Sequence, residues 1–135
     1  MNAFLVDLKN KPGALADAAE AIAAKGINIE AFTGATSGGS GSVALVTNDE
    51  DGTRRALAAG GMKAREIELV TAAIDHQPGG LAAVARKLAD GGVNIEAAFP
   101  TGMAGDKVSI AFATDQPAKA RSILGSATPA GIGVG

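Results

Sequence analysis

The sequence has no cysteine, no tryptophan and no tyrosine among its 135 residues. Without cysteine there is no disulfide, no thiolate metal ligand and no cysteine nucleophile, and the cytoplasm is the default compartment. Aromatic residues make up only 3% of the chain, whereas 47% of the residues are hydrophobic, so we expect the core to be built from Ala, Val, Ile and Leu. We therefore expect a cytoplasmic globular protein with one domain or two very small ones.

The chain also lacks a strong charge of either sign. A net charge of −2, with both signs scattered along the sequence, does not form a basic footprint for nucleic acid or for an anionic membrane surface. No apolar run approaches about 20 residues, and the first residues do not form a secretion signal. One histidine and scattered carboxylates are a poor metal-ligand set. We expect no nucleic acid, no membrane, no metal and no other cofactor.

A Pro-Gly stretch occurs twice where a strand pattern changes to a helix pattern. Residues 10–15 read Asn-Lys-Pro-Gly-Ala-Leu and residues 77–81 read Gln-Pro-Gly-Gly-Leu, with the two prolines 66 positions apart. Proline fixes φ at one residue and glycine frees it at the next, so the chain can turn tightly and present bare backbone N–H groups. Such groups at the start of a helix are well placed to hold an anion, including a carboxylate.

The two halves of the chain show the same order of elements. Alternating and helical spacings predict strands at 3–8, 27–33, 43–47 and 63–69 and helices within 15–25 and 49–59, with a flexible connection at 34–42. The second half repeats this order with strands at 70–75, 93–97, 108–114 and 131–134 and helices within 81–90 and 117–124. Residues 27–31 match 93–97 at the offset of 66, and one residue inserted in the second hairpin loop shifts the later offset to 67. The chain is therefore predicted to be an internal duplication.

The order strand, helix, strand, strand, helix, strand is the ferredoxin-like pattern. It predicts an α+β protein of two βαββαβ units at 1–69 and 70–135, each an antiparallel four-stranded sheet with its helices on one face. One unit of this size would bury only about 60% of the surface that its unfolded chain exposes, so we expect the units to pair side by side. Because no linker separates residues 69 and 70, we expect the fourth strand of the first unit to continue into the next strand.

These motifs resemble the ACT domain, a family of small ligand-binding modules on amino-acid biosynthetic enzymes such as phosphoglycerate dehydrogenase and aspartokinase. The resemblance rests on the Pro-Gly stretches, each followed by Gly-Ile-Asn-Ile or Gly-Val-Asn-Ile, and it covers essentially the whole chain. It implies a stand-alone tandem ACT protein, non-catalytic and regulatory, that forms a homodimer and acts on an enzyme partner. It also implies that a small molecule, an amino acid by preference, binds in the strand-helix loops at interfaces between ACT units.

Carried over by position, the resemblance gives a set of ligand-binding candidates. Asn10 and His76 lie two residues before the prolines, where serine-sensing members carry a ligand-contacting Asn. Leu8 and Ile74 lie where those members carry a His, so that polar contact is missing here. The candidates are Asn10, Lys11, Gly13, Ala14, Leu15, Asn28 and Ile29 in the first half, and Asp75, His76, Gln77, Gly79, Gly80, Leu81, Asn94 and Ile95 in the second.

Physical chemistry gives these candidates separate roles. The N–H groups of residues 13–15 and 79–81 would hold a ligand carboxylate, helped by the helix dipole. The side-chain oxygens of Asn10 or Asn28, strand-edge carbonyls, or Asp75 would accept from its ammonium group. Differences between the loops, with His76 in place of Asn10 and Gly80 in place of Ala14, predict two unequal sites.

Plainer interpretations stay open for several of these residues. Asn28 and Asn94 could bond nearby backbone at the turn, Asp75 could be a solvated carboxylate at a strand end, and His76 could have no special role. The fold could also serve as a scaffold that binds a partner protein without a ligand. A small enzyme is disfavoured, because no nucleophile-base pair or carboxylate pair stands out. Acylphosphatase-like chemistry would need an Arg where the first loop has only Lys11.

Overall fold

The computed structural model describes residues 1–125, and the chain separates into two compact units, Met1–Ile67 and Glu68–Gly135. The elements up to the division are β1 (Asn2–Lys9), α1 (Ala14–Ala23), β2 (Ile29–Ser37), β3 (Ser40–Thr47), α2 (Glu50–Ala59) and the start of β4 (Ala64–Asp75). The elements after it are the rest of β4, α3 (Gly80–Asp90), β5 (Ile95–Ala104), β6 (Lys107–Thr114) and α4 (Pro117–Leu124).

Unit 1 is an antiparallel sheet with two helices packed on it. Strand β3 pairs with β1 on one side and β2 on the other, β4 lies beside β1, and β2 forms the edge. Alternation along the strands points the apolar side chains of β1 and β3 towards the helices. Helix α1 contributes residues spaced four apart to the same core. The buried cluster consists of Phe4, Val6, Ile22, Ile27, Val43, Leu45 and Leu57.

Unit 2 repeats this arrangement with its own core. Strand β6 pairs antiparallel with the second part of β4 and with β5, which forms the edge. The buried cluster consists of Val70, Ala72, Leu88, Val93, Phe112 and Ala120. Phe112 here and Phe4 in unit 1 are among the largest fully buried side chains, so the expected core of Ala, Val, Ile and Leu alone is wrong. The α+β class, the antiparallel sheets and the βαββαβ-like units that the sequence predicts are confirmed. The strand predicted at 131–134 lies outside the described residues.

Strand β4 belongs to both units. The sequence predicts two strands in direct succession, and the structure has one strand of 12 residues from Ala64 to Asp75. The division between the units, after Ile67, falls inside this strand. The domain boundary predicted between residues 69 and 70 lies in the same strand.

The flexible connection predicted at residues 34–42 is wrong. Strand β2 continues to Ser37 and β3 begins at Ser40, so only Gly38 and Gly39 form the turn. The prediction failed because glycine and serine have weak strand propensity, whereas pairing with a neighbouring strand stabilises them in extended form. Close packing explains the glycine at position 41, since a Cβ there would lie 2.8 Å from the carbonyl oxygen of Ala35 on β2.

The sequence predicts the inserted residue of the second half in the hairpin loop, but the structure has it inside β5. Register shifts between Pro100 and Gly102, so Thr101 is the extra residue of a β-bulge, whereas the corresponding part of β2 is regular. The Thr101 hydroxyl donates to the Ser109 side chain at 3.1 Å, which anchors the bulge to β6. Both hairpins consequently keep a two-residue turn.

None of the helices in residues 1–125 combines the length and apolar character needed to cross a membrane.

Candidate functional site

The first Pro-Gly loop, defined as residues 10–15, joins β1 to α1. Gly13 lies immediately before the helix with φ 89° and ψ −12°, a left-handed conformation that glycine adopts without steric cost. No side chain caps the helix here. The loop instead closes on itself, with the Lys11 N–H donating to the Lys9 carbonyl at 2.9 Å. The start of α1 therefore depends on backbone geometry and not on a side-chain cap.

The backbone N–H groups at this helix start are only partly engaged. The Ala14 N–H donates to the Lys11 carbonyl at 3.4 Å, so it serves the loop itself. Within residues 1–125, the N–H groups of Gly13 and Leu15 have no acceptor. These two donors sit at the positive end of the helix dipole, and an anion can accept from them.

Asn10 fixes the loop to the turn between β2 and β3. Its backbone N–H donates to the Gly39 carbonyl at 3.3 Å, and its side-chain Nδ2 donates to the Gly38 carbonyl at 2.7 Å. This leaves the Asn10 Oδ1 without a partner in the described part of the chain. The side chain is exposed, so Oδ1 can accept a hydrogen bond from a ligand ammonium group.

An apolar cavity of about 300 Å³ opens beside the first Pro-Gly loop. It lies between the start of α1 and the helix-facing side of β1, β2 and β3. Leu15 is 49% exposed and Phe32 is 63% exposed, so large apolar side chains face solvent at its mouth. The residues that line it are Leu8, Leu15, Phe32, Gly34, Ala35, Thr36, Ser42 and Val43.

The second Pro-Gly loop, defined as residues 76–81, has the same backbone conformation. Gly79 has φ 87° and ψ −9°, the Gly80 N–H donates to the Gln77 carbonyl at 3.1 Å, and no acceptor within residues 1–125 faces the N–H groups of Gly79 and Leu81. Glycine at 80 is required by close packing, since a Cβ there would overlap the carbonyl oxygen of Asp75. The absence of a side chain at Gly80 therefore makes room for the backbone of Asp75.

The polar surroundings of the second loop differ from those of the first. The Asp75 carboxylate pairs with the Lys107 ammonium group at 2.6 Å, and this hydrogen bond raises the pKa of Lys107. Asp75 is therefore exposed at the end of β4, as in the plainer interpretation, and is also ion-paired. His76 attaches the loop through its backbone N–H, which donates to the Asp106 carbonyl at 2.8 Å. Gln77 and Leu81 are exposed beside it.

Asn28 and Ile29 lie at the far end of unit 1 from the first Pro-Gly loop. The loop precedes α1 and Asn28 follows it, and a helix of 10 residues is about 15 Å long. The Asn28 backbone N–H donates to the Asn48 Oδ1 at 3.0 Å, while Ile29 packs against the core. Within unit 1, one small ligand cannot contact both Asn10 and Asn28.

The same separation holds in unit 2. The Asn94 N–H donates to the Asp115 Oδ1 at 2.9 Å and Ile95 packs against the core, at the far end of α3 from the second Pro-Gly loop. The turns between helix and strand at Asn28 and Asn94 are thus held by the side chains of Asn48 and Asp115, which follow β3 and β6. Asn28 and Asn94 contribute their backbone N–H groups to these hydrogen bonds.

Sequence analysis also missed the strand residues of the cavity. Phe32, Thr36 and Ser42 lie far along the chain from the Pro-Gly stretch, and the hairpin brings them to it. One signal was available, because Phe32 is one of only four phenylalanines in the chain. It lies on β2, an edge strand of the sheet, where a large apolar side chain can indicate a binding surface. Lys11 is exposed in the loop, where its backbone N–H and carbonyl are both engaged but its side chain has no partner within residues 1–125.

Among residues 1–125 there is no group of three or more His, Cys, Asp or Glu side chains that could hold a metal ion.

Comparison with solved structures identifies several with the same fold. A protein from Bacteroides thetaiotaomicron is 24% identical, with a TM-score of 0.73, over 91% of this chain and 85% of that chain. The ligand-free regulatory subunit of aspartate kinase from Thermus thermophilus is 18% identical, with a TM-score of 0.64, over 95% of this chain and 91% of that chain. The corresponding subunit from Thermus flavus is 19% identical, with a TM-score of 0.61, over 91% and 88% of the two chains.

Comparison with curated protein sequences gave no match. The model of the ACT domain family matches residues 3–59, which contain the first Pro-Gly loop and every residue of the apolar cavity beside it.

Proposed function

We propose that the protein is a non-catalytic regulatory protein that binds an amino acid with an apolar side chain at the first Pro-Gly loop. The ligand carboxylate accepts from the N–H groups of Gly13 and Leu15, and its ammonium group donates to the Asn10 Oδ1. Its side chain enters the cavity beside the loop. The observation that carries this proposal is the apolar cavity of about 300 Å³ next to backbone donors without an acceptor in residues 1–125.

The lining of the cavity supports an apolar rather than a polar side chain. Leu8, Leu15 and Phe32 surround the space, and the position where serine-sensing members carry a His is occupied by Leu8. A polar side chain buried against these groups would lose its hydrogen bonds to water without replacing them, whereas an apolar side chain gains from leaving water. Thr36 and Ser42 supply the few polar atoms at the edge.

The regulatory part of the proposal has separate support. Residues 3–59 match the ACT domain family, and two structures of similar fold are regulatory subunits of aspartate kinase. We propose a homodimer and an amino-acid biosynthetic enzyme as the regulated partner. Regulation would follow if one arrangement of the assembly binds the amino acid more tightly than another, because only differential affinity can shift an equilibrium.

Isothermal titration of the full chain with the common amino acids tests the ligand. We expect heat with Val, Leu, Ile, Met or Phe and none with Asp, Lys or Ser. The variant Phe32→Ser should weaken binding about tenfold, since it removes apolar contact from the ligand side chain. Met103→Ser is the matched control, because Met103 is 53% exposed on β5 of unit 2 and does not line the cavity.

Absence of heat and of a thermal shift with every amino acid would overturn the proposal. The alternative function, a scaffold that binds a partner protein without a ligand, would then be favoured by the exposure of Leu15 and Phe32 on the same face. A pull-down that recovers one partner from the wild type but not from Phe32→Ser, with or without added amino acids, would support the scaffold. Sedimentation of the full chain tests the homodimer, and a monomer at micromolar concentration would contradict it.

A further inference from the structure

A second cavity, of about 350 Å³, lies at the opposite end of unit 1 from the Pro-Gly loop. It is formed where the chain leaves α1 and where α2 begins, and we call it the helix-end cavity. The residues that line it are Lys25, Ile27, Asp49, Gly52, Arg55, Ala56 and Ala59. It shares no residue with the apolar cavity beside the loop, so a ligand there would be a second, separate one.

The helix-end cavity carries two cations without partners. Lys25 and Arg55 are exposed, and neither makes an ion pair or hydrogen bond through its side chain within residues 1–125. The neighbouring Arg54 is different, because it pairs with Asp51 at 2.7 Å and with Glu66 at 2.6 Å. Carboxylates therefore neutralise the charge of Arg54, whereas no carboxylate within residues 1–125 pairs with Lys25 or Arg55.

The one carboxylate in the lining already has a structural role. Asp49 is the N-cap of α2, and its Oδ1 accepts from the Gly52 N–H at 2.9 Å. The positive end of the α2 dipole partly offsets its charge. The cavity therefore has a net positive character at the Lys25 and Arg55 side, while the buried Ile27 and Ala56 provide an apolar floor.

The corresponding place in unit 2 is filled by a side chain. Ile123 stands where unit 1 has Ala56, and it packs against the core of unit 2. Gly91 stands where unit 1 has Lys25, and a Cβ at Gly91 would overlap the Ile123 side chain. Ser122 replaces Arg55, so neither cation is present. The two copies of one duplicated fold thus show that this space can be closed by packing, and that unit 1 leaves it open where its two unpaired cations lie.

We propose that the helix-end cavity of unit 1 binds a small monocarboxylate, with the carboxylate between Lys25 and Arg55 and a short carbon chain against Ile27, Ala56 and Ala59. A carboxylate suits this arrangement because guanidinium and ammonium groups both donate charge-assisted hydrogen bonds to it. A short chain suits it because the floor is made of small or aliphatic side chains. The binding is independent of the amino-acid site at the first Pro-Gly loop.

Titration of the ¹⁵N-labelled full chain with butyrate, followed by NMR, tests the proposal. We expect saturable shifts at the amides of residues 25–27 and 52–59. Butylammonium has the same carbon chain with the opposite charge, and it should leave these amides unchanged. Arg55→Gln and Lys25→Gln should each raise the Kd for butyrate about two- to fivefold, the loss expected when one exposed charged contact is removed. Ala56→Ile, which copies unit 2, should abolish the response.

Lys87→Gln is the matched control, because it removes one exposed cation from α3 and Lys87 does not line the helix-end cavity. It should bind butyrate as the wild type does. The proposal is overturned if no saturable shifts occur at these amides, if butylammonium produces the same shifts, or if Arg55→Gln and Lys87→Gln respond alike. Ala56 is buried and its variant could fail to fold, but Lys25 and Arg55 are on the surface, so their variants still decide the matter.

Discussion

Gly13 and Gly79 are the residues that define the two Pro-Gly loops. Each has a positive φ, 89° and 87°, immediately before a helix that no side chain caps. An L-residue with a Cβ pays a steric cost in this conformation from its own backbone, whatever the space around it. The sequence could predict this much, because a glycine directly after a proline at a strand-to-helix transition is typical of such a turn.

Gly13→Ala should lower the free energy of unfolding by about 1–2 kcal/mol. No atom lies within 4 Å of the position that the new Cβ would take, so the cost is conformational and not a clash. Gly39→Ala is the control, since its added Cβ also meets nothing within 4 Å but its φ is not in the left-handed region. Urea unfolding measures both, and equal stability of the two variants would contradict the explanation.

Other residues of the candidate site were beyond sequence reasoning, for a physical reason. Phe32 and Ser42 reach the first Pro-Gly loop only through the register of the β2–β3 hairpin, and local sequence does not encode that distance. Asn28 was assigned to the site because it follows a motif, but the length of α1 separates it from the loop. Spacing along the chain predicts that the N–H groups of residues 13–15 lie at the helix start, but it could not predict that the loop itself uses the Ala14 N–H.

At the scale of elements, Arg54 connects helix α2 to strand β4. Its guanidinium donates to both oxygens of the Glu66 carboxylate at 2.6 Å. These hydrogen bonds hold the pKa of Glu66 below its usual value of 4.5 and raise the pKa of Arg54 above its usual value. Because the folded protein binds fewer protons at Glu66 than the unfolded chain does, the pair stabilises the fold above the unfolded-state pKa. That contribution disappears as the pH falls through the folded-state pKa.

Glu66→Gln should therefore reduce stability most near neutral pH, and the difference from wild type should shrink as the pH falls below 4.5. Chemical unfolding at about pH 7, 5 and 3 measures the difference. Glu30→Gln removes an exposed carboxylate that has no ion pair in the described residues, and it should change stability little at any of these values. A Glu66→Gln difference that stays constant with pH would count against the ion pair.

The elements themselves were mostly predictable from the spacing of apolar residues. Helix α1 follows from Ala18 and Ile22 on one face, and strand β1 from Phe4 and Val6. What failed were strand ends rich in glycine and serine, because cross-strand pairing and not composition extends β2 to Ser37. The inserted residue at Thr101 was predicted in a loop, because the sequence does not distinguish an insertion in a hairpin loop from one in a bulged strand.

For the whole molecule, each unit has a core made from its own residues. Leu57 lies in the cluster of unit 1 and Leu88 in the cluster of unit 2, and both are fully buried. The sequence predicts a duplication from the repeated motif, and two units with similar orders of elements are consistent with it. It did not predict how the copies differ in packing, because Ala56 and Ile123 both fit an apolar helix position.

Leu57→Ala and Leu88→Ala should each cost about 2–5 kcal/mol, the usual range for a buried leucine. We expect faster amide hydrogen exchange chiefly in the unit that carries the substitution, since neither cluster contains residues of the other unit. Exchange measured by NMR at each amide distinguishes the units. Equal acceleration in both units by either variant would show that they open as one and would contradict the expectation.

The bulge in β5 has a consequence for association through the sheets. An edge strand is a template for another strand, and proteins block it with proline or with an irregular backbone. The edge strand of unit 2 has both, since Pro100 lacks an N–H and Thr101 interrupts the ladder. The edge strand of unit 1 has a regular ladder from Ala31 to Ser37 and no proline. Of these two edges in residues 1–125, a chain that extends the sheet should therefore add to β2 and not to β5.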